Sequence, residues 1–273
     1  MNIPANLIHI DNITDSRVSL YTGYNEPQLY HCNEPERGVF IAETPMVIER
    51  ALLCGALPVS FFVESSALEN EDVKRVLESA GDVPVFEAKL SVINSITGFN
   101  LTRGMLAAFT RPEEPDIDSV LINSKKIVVL EDIVNPTNVG AIFRCAAALG
   151  VDGILLSRGC TDPYYRRSAR VSMGSVFMIP WTYLPKGCDF IPHLHERGFC
   201  VISLALSENA RDISDPELVK NPKRALVFGS EGAGLSDATL ANSDHIATIP
   251  MKNNIDSLNV AAASAIAIWE LFN

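Results

Sequence analysis

Apolar and polar positions alternate along the chain with two periods, and each period predicts a different kind of element. Short apolar runs predict strands at residues 39–42, 59–63, 83–86 and 106–109. Apolar positions at helical spacing predict helices at 45–54 and 68–80, which stop at Gly55 and Gly81. Strands that alternate with helices indicate an α/β fold.

The same alternation restarts after a stretch rich in proline and acidic residues at 110–118, which is typical of a linker. We therefore predict two domains, 1–118 and 119–273. In the second domain, strands are predicted at 127–130, 154–156, 200–205, 225–228 and 245–249, and helices at 139–149, 187–196 and 257–272. This order favours a parallel sheet with crossover helices.

Composition supports a folded protein. The chain has 273 residues, of which 47% are hydrophobic and 20% are charged, so a packed core is expected and disorder is not. The N-terminus has no basic region followed by an apolar run, and the longest apolar stretch, near 260–269, is too short for a membrane span. We expect a cytoplasmic protein.

The net charge of −11 argues against nucleic acid as a partner, because phosphate neutralisation needs lysine and arginine. The acidity is uneven, however: residues 1–124 carry 18 acidic and 8 basic residues, whereas residues 125–273 carry 15 and 14. Four arginines surround a single acid, Asp162, in the second half of the chain. These candidate contacts for RNA phosphates are Arg158, Arg166, Arg167 and Arg170.

Cysteine and histidine spacing predicts no metal site. The six cysteines form no C-x-x-C pair, and their scattered positions favour reduced thiols. His193 and His195 have no cysteine or second histidine pair nearby, which favours surface histidines.

The first segment with candidate chemistry follows a predicted strand and opens a helix at 135–150. Asn138 and Arg144 are six residues apart. If Asn138 lies in the loop before the helix, both side chains can point into the cleft above the strand ends, where open α/β sheets bind ligands. Alternatively, Asn138 caps the helix and Arg144 lies on a solvated face.

The second segment is a glycine-rich turn after the predicted strand at 225–228, with Gly229, Glu231, Gly232 and Gly234. Glycines permit positive φ and let a ligand approach the backbone closely. The order G-x-x-G-x-G is the reverse of the dinucleotide fingerprint, and no helix of suitable length clearly follows. The turn therefore does not favour a nicotinamide cofactor.

The third segment runs from 249 to 264 and leads into the final predicted helix. Ser257 and Asp256 are both candidate N-caps of that helix. Asn259 is predicted to lie in its first turn, where it could serve the loop or a substrate.

Together and in this order, the three segments resemble the SpoU (TrmH-like) branch of the SPOUT methyltransferases, over about residues 125–273. The first family motif, N-x-G-x-x-x-R before a small-residue helix, matches Asn138, Gly140, Arg144 and Gly150. The second, G-x-E-G-x-G, matches Gly229, Glu231, Gly232 and Gly234. The third, I-P-M followed by S-L-N-V, matches Ile249, Pro250, Met251, Ser257, Leu258, Asn259 and Val260.

The resemblance implies a parallel sheet with a deep trefoil knot, a homodimer whose active site lies near the subunit interface, and methylation of a ribose 2′-hydroxyl in ribosomal or transfer RNA. It implies S-adenosyl-L-methionine as cofactor and requires no metal. The residues expected to hold the cofactor are Phe228, Gly229, Ser230, Gly232, Ile249, Met251, Ser257 and Leu258.

The N-terminal half looks like the L30e-like substrate-binding domain of the same family. The likeness lies in Phe40, Ile41 and Glu43, in the helix that stops at Gly55, and in the segment 103–109. Two departures stand out. The family often has Glu-Gly where this chain has Glu43-Thr44, and many members have glycine where it has Asn253-Asn254. Asparagine is the next most tolerant residue for positive φ, so the second loop can keep its shape.

For the chemistry, the resemblance implies catalytic roles for Asn138, Arg144, Glu231, Ser257 and Asn259. Proposals for the family make the arginine a general base, but arginine side chains stay protonated in proteins. We hypothesise instead that Arg144 binds a phosphate and the ribose oxygen and stabilises developing negative charge. Asn138, Ser257 and Asn259 would orient the ribose and Arg144, and Glu231 would hold the loop or the RNA. The alternative is a catalytically silent protein that binds RNA or cofactor on the same fold.

Overall fold

A computed structural model describes residues 6–79, 81–97, 104–187, 189–207, 209–253 and 257–273. The chain forms two compact units. The first unit comprises Met1–Glu113 and Tyr164–Phe177, and the second comprises Glu114–Pro163 and Met178–Asn273. Arg103, Cys188, Asn254 and Asp256, which the sequence analysis covered, lie outside the described residues.

The elements of the described residues are these. The strands are β1 (Leu7–His9), β2 (Val39–Glu43), β3 (Pro58–Glu64), β4 (Val85–Ala88), β5 (Met105–Thr110), β6 (Lys126–Leu130), β7 (Gly153–Leu156), β8 (Trp181–Tyr183), β9 (Cys200–Leu204), β10 (Arg211–Asp212), β11 (Arg224–Phe228) and β12 (His245–Thr248). The helices are α1 (Ser19–Thr22), α2 (Glu26–His31), α3 (Pro45–Leu53), α4 (Glu71–Glu78), α5 (Leu90–Thr97), α6 (Ile117–Leu121), α7 (Pro136–Ala148), α8 (Arg166–Val171), α9 (Phe190–Glu196), α10 (Asp237–Asn242) and α11 (Val260–Phe272). Short 3₁₀ helices are Ser16–Val18, Ser65–Glu69, Ser175–Phe177 and Pro216–Val219. Among these described helices, none is long and apolar enough to cross a membrane.

The first unit is built on a mixed five-stranded sheet of order β1-β4-β3-β5-β2. Strands β1, β4 and β3 run parallel, and β5 runs antiparallel to both of its neighbours. The helix predicted at 68–80 begins later than expected, because the Asn70 side chain accepts a hydrogen bond from the Asp72 backbone and caps α4. The predicted strands at 39–42, 59–63 and 106–109 are confirmed as β2, β3 and β5.

A segment from the second half of the chain packs in the first unit. The Tyr164 ring stacks on Phe40 at a centroid distance of 5.0 Å and on Phe177 at 5.5 Å. Arg170 Nη1 donates to Glu43 Oε1 at 3.0 Å. With this segment, the first unit has 15 acidic and 11 basic residues, and the second unit has 18 and 11. The segment Tyr164–Phe177 therefore adds three arginines to the unit that contains the acidic N-terminal part of the chain.

The chain first passes from one unit to the other between Glu113 and Glu114. The domain boundary predicted at residue 118 lies inside α6, which the Asp116 side chain caps by accepting the Ser119 N–H. Val120 and Leu121 of α6 are buried in the core of the second unit. The substrate-binding role expected for the N-terminal domain stays a prediction.

The second unit contains a seven-stranded sheet of order β10-β12-β9-β11-β6-β7-β8, in which every pair is parallel. The predicted parallel α/β sheet is thus confirmed. All five residues of β11 are buried, as expected for a strand covered on both faces. One face packs against α6 and α9, and α7 and α11 pack against each other. The deep trefoil knot stays a prediction.

Candidate active site

A pocket of about 390 Å³ opens at the carboxyl ends of three neighbouring strands of the second unit. These ends lie side by side, because Leu204 of β9 pairs with Phe228 of β11 and with Ala247 of β12. Open α/β sheets bind ligands at this edge. The pocket is lined by residues of β9, β11, β12, α10 and α11 and of the loops that follow the strands: Leu204, Ala205, Leu206, Phe228, Gly229, Ser230, Glu231, Gly232, Ala233, Gly234, Leu235, Leu240, Ala247, Thr248, Ile249, Met251, Ser257, Leu258, Val260 and Ala263.

The glycine-rich segment turns back on itself directly after β11. Gly234 N donates to Ser230 O at 3.0 Å, and the two residues form an isolated antiparallel bridge. Gly234 has a φ of 70°, which is the conformation that the glycine pattern predicted. At Gly229, a Cβ atom would lie 2.3 Å from the carbonyl of Gly234, so the turn cannot close around a larger residue without shifting. We call residues 229–236 the pocket loop.

Both departures from the family pattern that fall on described residues have positive φ. Thr44, which stands where the family often has glycine, has a φ of 82°. Asn253 has a φ of 58°, as expected if asparagine replaces glycine without a change of loop shape. The backbone at both positions therefore keeps a conformation that favours glycine, although the side chains differ.

Three polar side chains from separate parts of the sequence meet beside the pocket. Asn138 Nδ2 donates to Glu231 Oε1. Asn259 Nδ2 donates to Asn138 Oδ1 at 3.1 Å and lies 3.3 Å from Glu231 Oε1. Asn138 is only 5% exposed, and a buried amide requires such partners. We call Asn138, Glu231 and Asn259 the amide–carboxylate cluster.

The caps of the two helices next to this cluster differ from the sequence interpretation. Asn135, rather than Asn138, caps α7 by accepting the Thr137 N–H at 2.9 Å. Asn138 therefore lies in the first helical turn, so it neither lies in the preceding loop nor caps the helix, which were the two alternatives that the sequence left open. Asn259, rather than Ser257, caps α11 by accepting the Ala261 N–H at 3.0 Å. Its oxygen caps the helix while its nitrogen serves the cluster.

Arg144 is not part of the cluster. Six residues separate it from Asn138 within α7, which is about 9 Å along the helix axis and a different helical face. The side chain is exposed and makes no hydrogen bond or ion pair with another described residue. The sequence analysis allowed both side chains to point into one cleft only if Asn138 lay in the loop before α7, and Asn138 lies within the helix. The guanidinium is instead open to solvent and to an incoming anion.

The eight residues predicted to hold a cofactor all line the one pocket. Their role as cofactor ligands stays a prediction. Sequence reasoning missed three parts of the wall: Leu204 to Leu206, at and after the end of β9, Leu240 of α10, and Ala247 and Thr248 of β12. The first had a usable signal, since the strand predicted at 200–205 also ends at the carboxyl edge of the sheet.

The four arginines predicted to contact RNA do not lie in one unit. Arg166, Arg167 and Arg170 lie on α8 in the first unit, and Arg158 lies in the second. Arg158 pairs with Glu114 at 3.3 Å and lies over the Tyr183 ring at 4.7 Å. The sequence analysis considered only Asp162 as a neighbouring acid. Glu114 pairs with Arg158 and Glu43 pairs with Arg170, so the surroundings of these arginines are less positive than expected.

The histidines and Cys145 of the described residues show no arrangement suited to metal or thiol chemistry. Within the described ranges, no group of three or more His, Cys, Asp or Glu residues could hold a metal ion. His193 pairs with Asp118 at 3.0 Å, and His195 pairs with Asp244 at 2.9 Å. Burial raises the pKa of the Cys145 thiol, although the charge of Arg144 acts in the opposite direction. Cys145 is therefore a poor source of thiolate.

Sequence comparison identifies relatives over most of the chain. The model of the SpoU rRNA Methylase family matches residues 125–269. An uncharacterised tRNA/rRNA methyltransferase of Mycobacterium tuberculosis is 36% identical over 235 residues, which cover 86% of this chain and 81% of the relative. The 23S rRNA (guanosine(2553)-2′-O)-methyltransferase RlmP of Bacillus subtilis is 26% identical over 234 residues, covering 85% and 88% of the two chains.

Solved structures share the fold over nearly the full length. An AdoMet-bound rRNA methyltransferase from Sinorhizobium meliloti superimposes with a TM-score of 0.80 at 26% identity, covering 97% of each chain. An RNA 2′-O ribose methyltransferase superimposes with a TM-score of 0.78 at 23% identity, covering 97% of this chain and 98% of the other. The second likeness concerns the fold alone.

Proposed function

The chain belongs to the SpoU rRNA methylase family, and we propose that it transfers a methyl group from S-adenosylmethionine to a ribose 2′-hydroxyl of ribosomal or transfer RNA. The observation that carries this proposal is the pocket at the carboxyl edge of the sheet with the amide–carboxylate cluster beside it. The pocket supplies a place for the cofactor, and the cluster supplies oriented polar groups next to it. The RlmP relative, named as a 2′-O-methyltransferase, supports the same reaction.

The pocket fits S-adenosylmethionine by size and by chemistry. Its volume of about 390 Å³ lies in the range of small-molecule sites, and apolar side chains and glycine backbone form most of its wall. Glu231 is the one ionisable side chain in the described lining, so a cationic ligand meets a carboxylate there. The glycine order of the pocket loop, G-x-x-G-x-G, is the reverse of the dinucleotide fingerprint, which argues against a dinucleotide. When bound, S-adenosylmethionine supplies an activated methyl group on its sulfonium.

The protein's own residues then orient the acceptor. Asn138 and Asn259 are fixed against Glu231, so their amides are held in place before RNA arrives, and such preorganisation lowers the cost of alignment. Ser257 lines the pocket, and we infer that it helps to orient the ribose. Arg144 is exposed, has no described partner and lies about 9 Å along α7 from Asn138, so we infer that it binds a backbone phosphate and stabilises negative charge on the reacting oxygen from a different side of the ribose than the cluster.

The first unit is proposed to select the RNA. The exposed Arg167 and Arg170 of α8, together with Arg158 in the second unit, are the proposed phosphate contacts. The three arginines of α8 bring the first unit to a net charge of −4, closer to neutrality than the −7 of the second unit. We place the activity in the cytoplasm, which is consistent with the bacterial tRNA/rRNA methyltransferases that resemble this chain.

We further propose that the protein is a homodimer that covers the outer face of α11. Trp269 is 60% exposed and Ile266 is 41% exposed on that helix. Exposed tryptophan is typical of the centre of protein interfaces. Light scattering should give twice the chain mass, and Trp269→Glu should give the monomer; a monomeric wild type contradicts the proposal.

The function is tested in two steps. Calorimetry with S-adenosylhomocysteine should show binding in the micromolar range, near −8 kcal/mol, whereas NAD should not bind. Mapping 2′-O-methyl groups in total RNA from a deletion strain should then reveal the nucleotide that lacks its methyl group, and the purified protein should restore that methylation. Binding of S-adenosylhomocysteine without any methyl transfer would indicate the silent RNA- or cofactor-binding alternative.

A further inference from the structure

One carboxylate holds the far end of the pocket loop and takes no part in the pocket itself. Glu131 follows β6, the strand next to β11, and stands outside the described lining of the pocket. Its Oε1 accepts the backbone N–H of Ser236 at 2.9 Å, and its Oε2 accepts the hydroxyl of Thr239 at 2.6 Å. Ser236 is the last residue of the pocket loop and caps α10.

The short helix α10 is fastened at its other end as well. Ser243 Oγ donates to the Thr239 carbonyl at 2.7 Å and lies 2.7 Å from Ser203 Oγ of β9. Thr239 is only 5% exposed, so its hydroxyl bond to Glu131 is shielded from water. The helix is thereby fixed to both β6 and β9, and α10 in turn supplies Leu240 to the pocket wall.

We propose that Glu131 is a positioning residue that holds the pocket loop in its ligand-binding conformation, an inference that rests on the proposed use of the pocket for S-adenosylmethionine. The loop is attached at Glu231 by the amide–carboxylate cluster and at Ser236 by Glu131. Between these points lie Gly232, Ala233, Gly234 and the buried Leu235, and the two glycines order at a high entropic cost. A loop ordered before binding spares the ligand that cost.

If Glu131 orders the loop, its substitution should change cofactor binding but not turnover. A general loss of stability would not separate these two quantities. Glu131→Gln keeps the size of the side chain but leaves one acceptor oxygen for two donors, and its amide nitrogen would face a donor. The pocket loop then fluctuates between Glu231 and Ser236, so cofactor binding weakens, while the hydrogen bonds from Asn138 to Glu231 and from Asn259 to Asn138 still hold the other end. The Michaelis constant for S-adenosylmethionine rises, and the turnover at saturating cofactor stays near that of wild type.

The chain offers a matched control at the opposite edge of the same sheet. Asp152 Oδ2 accepts the backbone N–H groups of Lys125 at 2.8 Å and Lys126 at 2.9 Å. Like Glu131, it is a carboxylate that holds two donors in the second unit. Asp152→Asn should therefore lower the thermal midpoint without altering the pocket.

The experiment measures S-adenosylhomocysteine binding by calorimetry and amide exchange of residues 229–236 in the full-length wild type, Glu131→Gln and Asp152→Asn. Glu131→Gln should bind about tenfold more weakly, as expected for the loss of one hydrogen bond to a charged group, and should exchange faster in the loop. Asp152→Asn should stay within about twofold in affinity. Thr239→Val should reproduce part of the loss, and Thr239→Ser, which retains the hydroxyl, should restore it.

Wild-type affinity and wild-type exchange in Glu131→Gln would overturn the role of Glu131. Equal weakening in Glu131→Gln and Asp152→Asn would overturn it too, because both would then act through global stability. If the wild type binds no S-adenosylhomocysteine, the proposed function fails instead, and the exchange measurement still decides whether Glu131 orders the loop.

Discussion

Asn259 offers a test of whether the amide–carboxylate cluster serves catalysis or only stability, because its two side-chain atoms do different things. The oxygen caps α11, and the nitrogen bonds Asn138 and approaches Glu231. Asn259→Ser retains a capping oxygen of similar strength and removes only the nitrogen. Asn259→Ala removes both. The pair of variants therefore separates the helix cap from the cluster.

The expected magnitudes follow from these contacts. Loss of a cap costs about 1 kcal/mol, which in a chain of this size lowers the thermal midpoint by roughly 2 °C. The Ser variant keeps the cap, so its midpoint should fall only by the cost of the lost hydrogen bond to Asn138, about 1 kcal/mol, and the Ala variant should lose both contributions. Hydrogen bonds that involve a charged group contribute about 1.5–3 kcal/mol. If they orient the ribose in the transition state, their loss lowers turnover about 10- to 100-fold.

A third variant sharpens the comparison. Asn259→Asp also keeps the cap but places a second carboxylate where the amide nitrogen lies 3.3 Å from Glu231 Oε1. At an effective dielectric of about 20, this repulsion is about 5 kcal/mol before relaxation, and solvent at this exposed residue reduces it. Single-turnover methylation should give the order wild type, Ser, Asp. Both variants keep the cap, and the Asp variant should have the lower midpoint of the two, because the repulsion acts in the folded state. If Ser and Asp turn over like wild type and only Ala is impaired, the cluster is a helix cap and the catalytic reasoning is wrong.

Three further predictions concern other parts of the chain. Arg144→Ala should lower single-turnover methylation at least about 100-fold without changing S-adenosylhomocysteine affinity or the thermal midpoint, and Arg144→Lys should restore little, because an ammonium lacks the planar fork; activity within a few-fold of wild type would make Arg144 a surface residue. A fragment of residues 114–273 should bind S-adenosylhomocysteine but be cut by trypsin within Tyr164–Phe177, which the full chain protects by packing it in the first unit; equal resistance in both would contradict that packing. The hydrogen bond and charge of Glu87 raise the pKa of His9 above its usual 6.5. The contribution of this ion pair to the free energy of unfolding is therefore fully present just below pH 6.5 and is lost as the pH rises through the raised pKa. The midpoint difference between wild type and His9→Ala should therefore be larger at about pH 6 than at about pH 9, and a pH-independent difference would exclude this ion pair.

The periodic elements of the fold were accessible from sequence because their cores are locally encoded. The runs that became β6, β9 and β11 are almost wholly apolar, as strands of a covered parallel sheet must be. Short elements were missed: α8 and α10 have six residues each, too few to show a helical period. Their formation depends on contacts with distant residues, such as the bond from Thr239 to Glu131.

The candidate site shows a similar division. The three motifs named Asn138, Glu231 and Asn259 individually, and the structure joins them through direct hydrogen bonds. Residue type alone leaves both Asn135 and Asn138 as plausible caps of α7. The one signal that distinguishes them is Pro136, because proline is favoured at the first helical position and therefore favours Asn135 as the cap. The partners of Arg158 and Arg170 were inaccessible for a different reason: Glu114 and Glu43 lie 44 and 127 residues away.

The excursion of Tyr164–Phe177 limits how this protein can exchange parts with others. Its polypeptide passes from one unit to the other at three places, after residues 113, 163 and 177. Recombination at the first crossing alone would deliver an N-terminal module that lacks α8 and the aromatic rings stacked on Phe40. A new first unit could therefore be acquired intact only together with a matching insert between β7 and β8. In such a lineage, the first unit is expected to change through substitutions within it rather than through replacement of the whole.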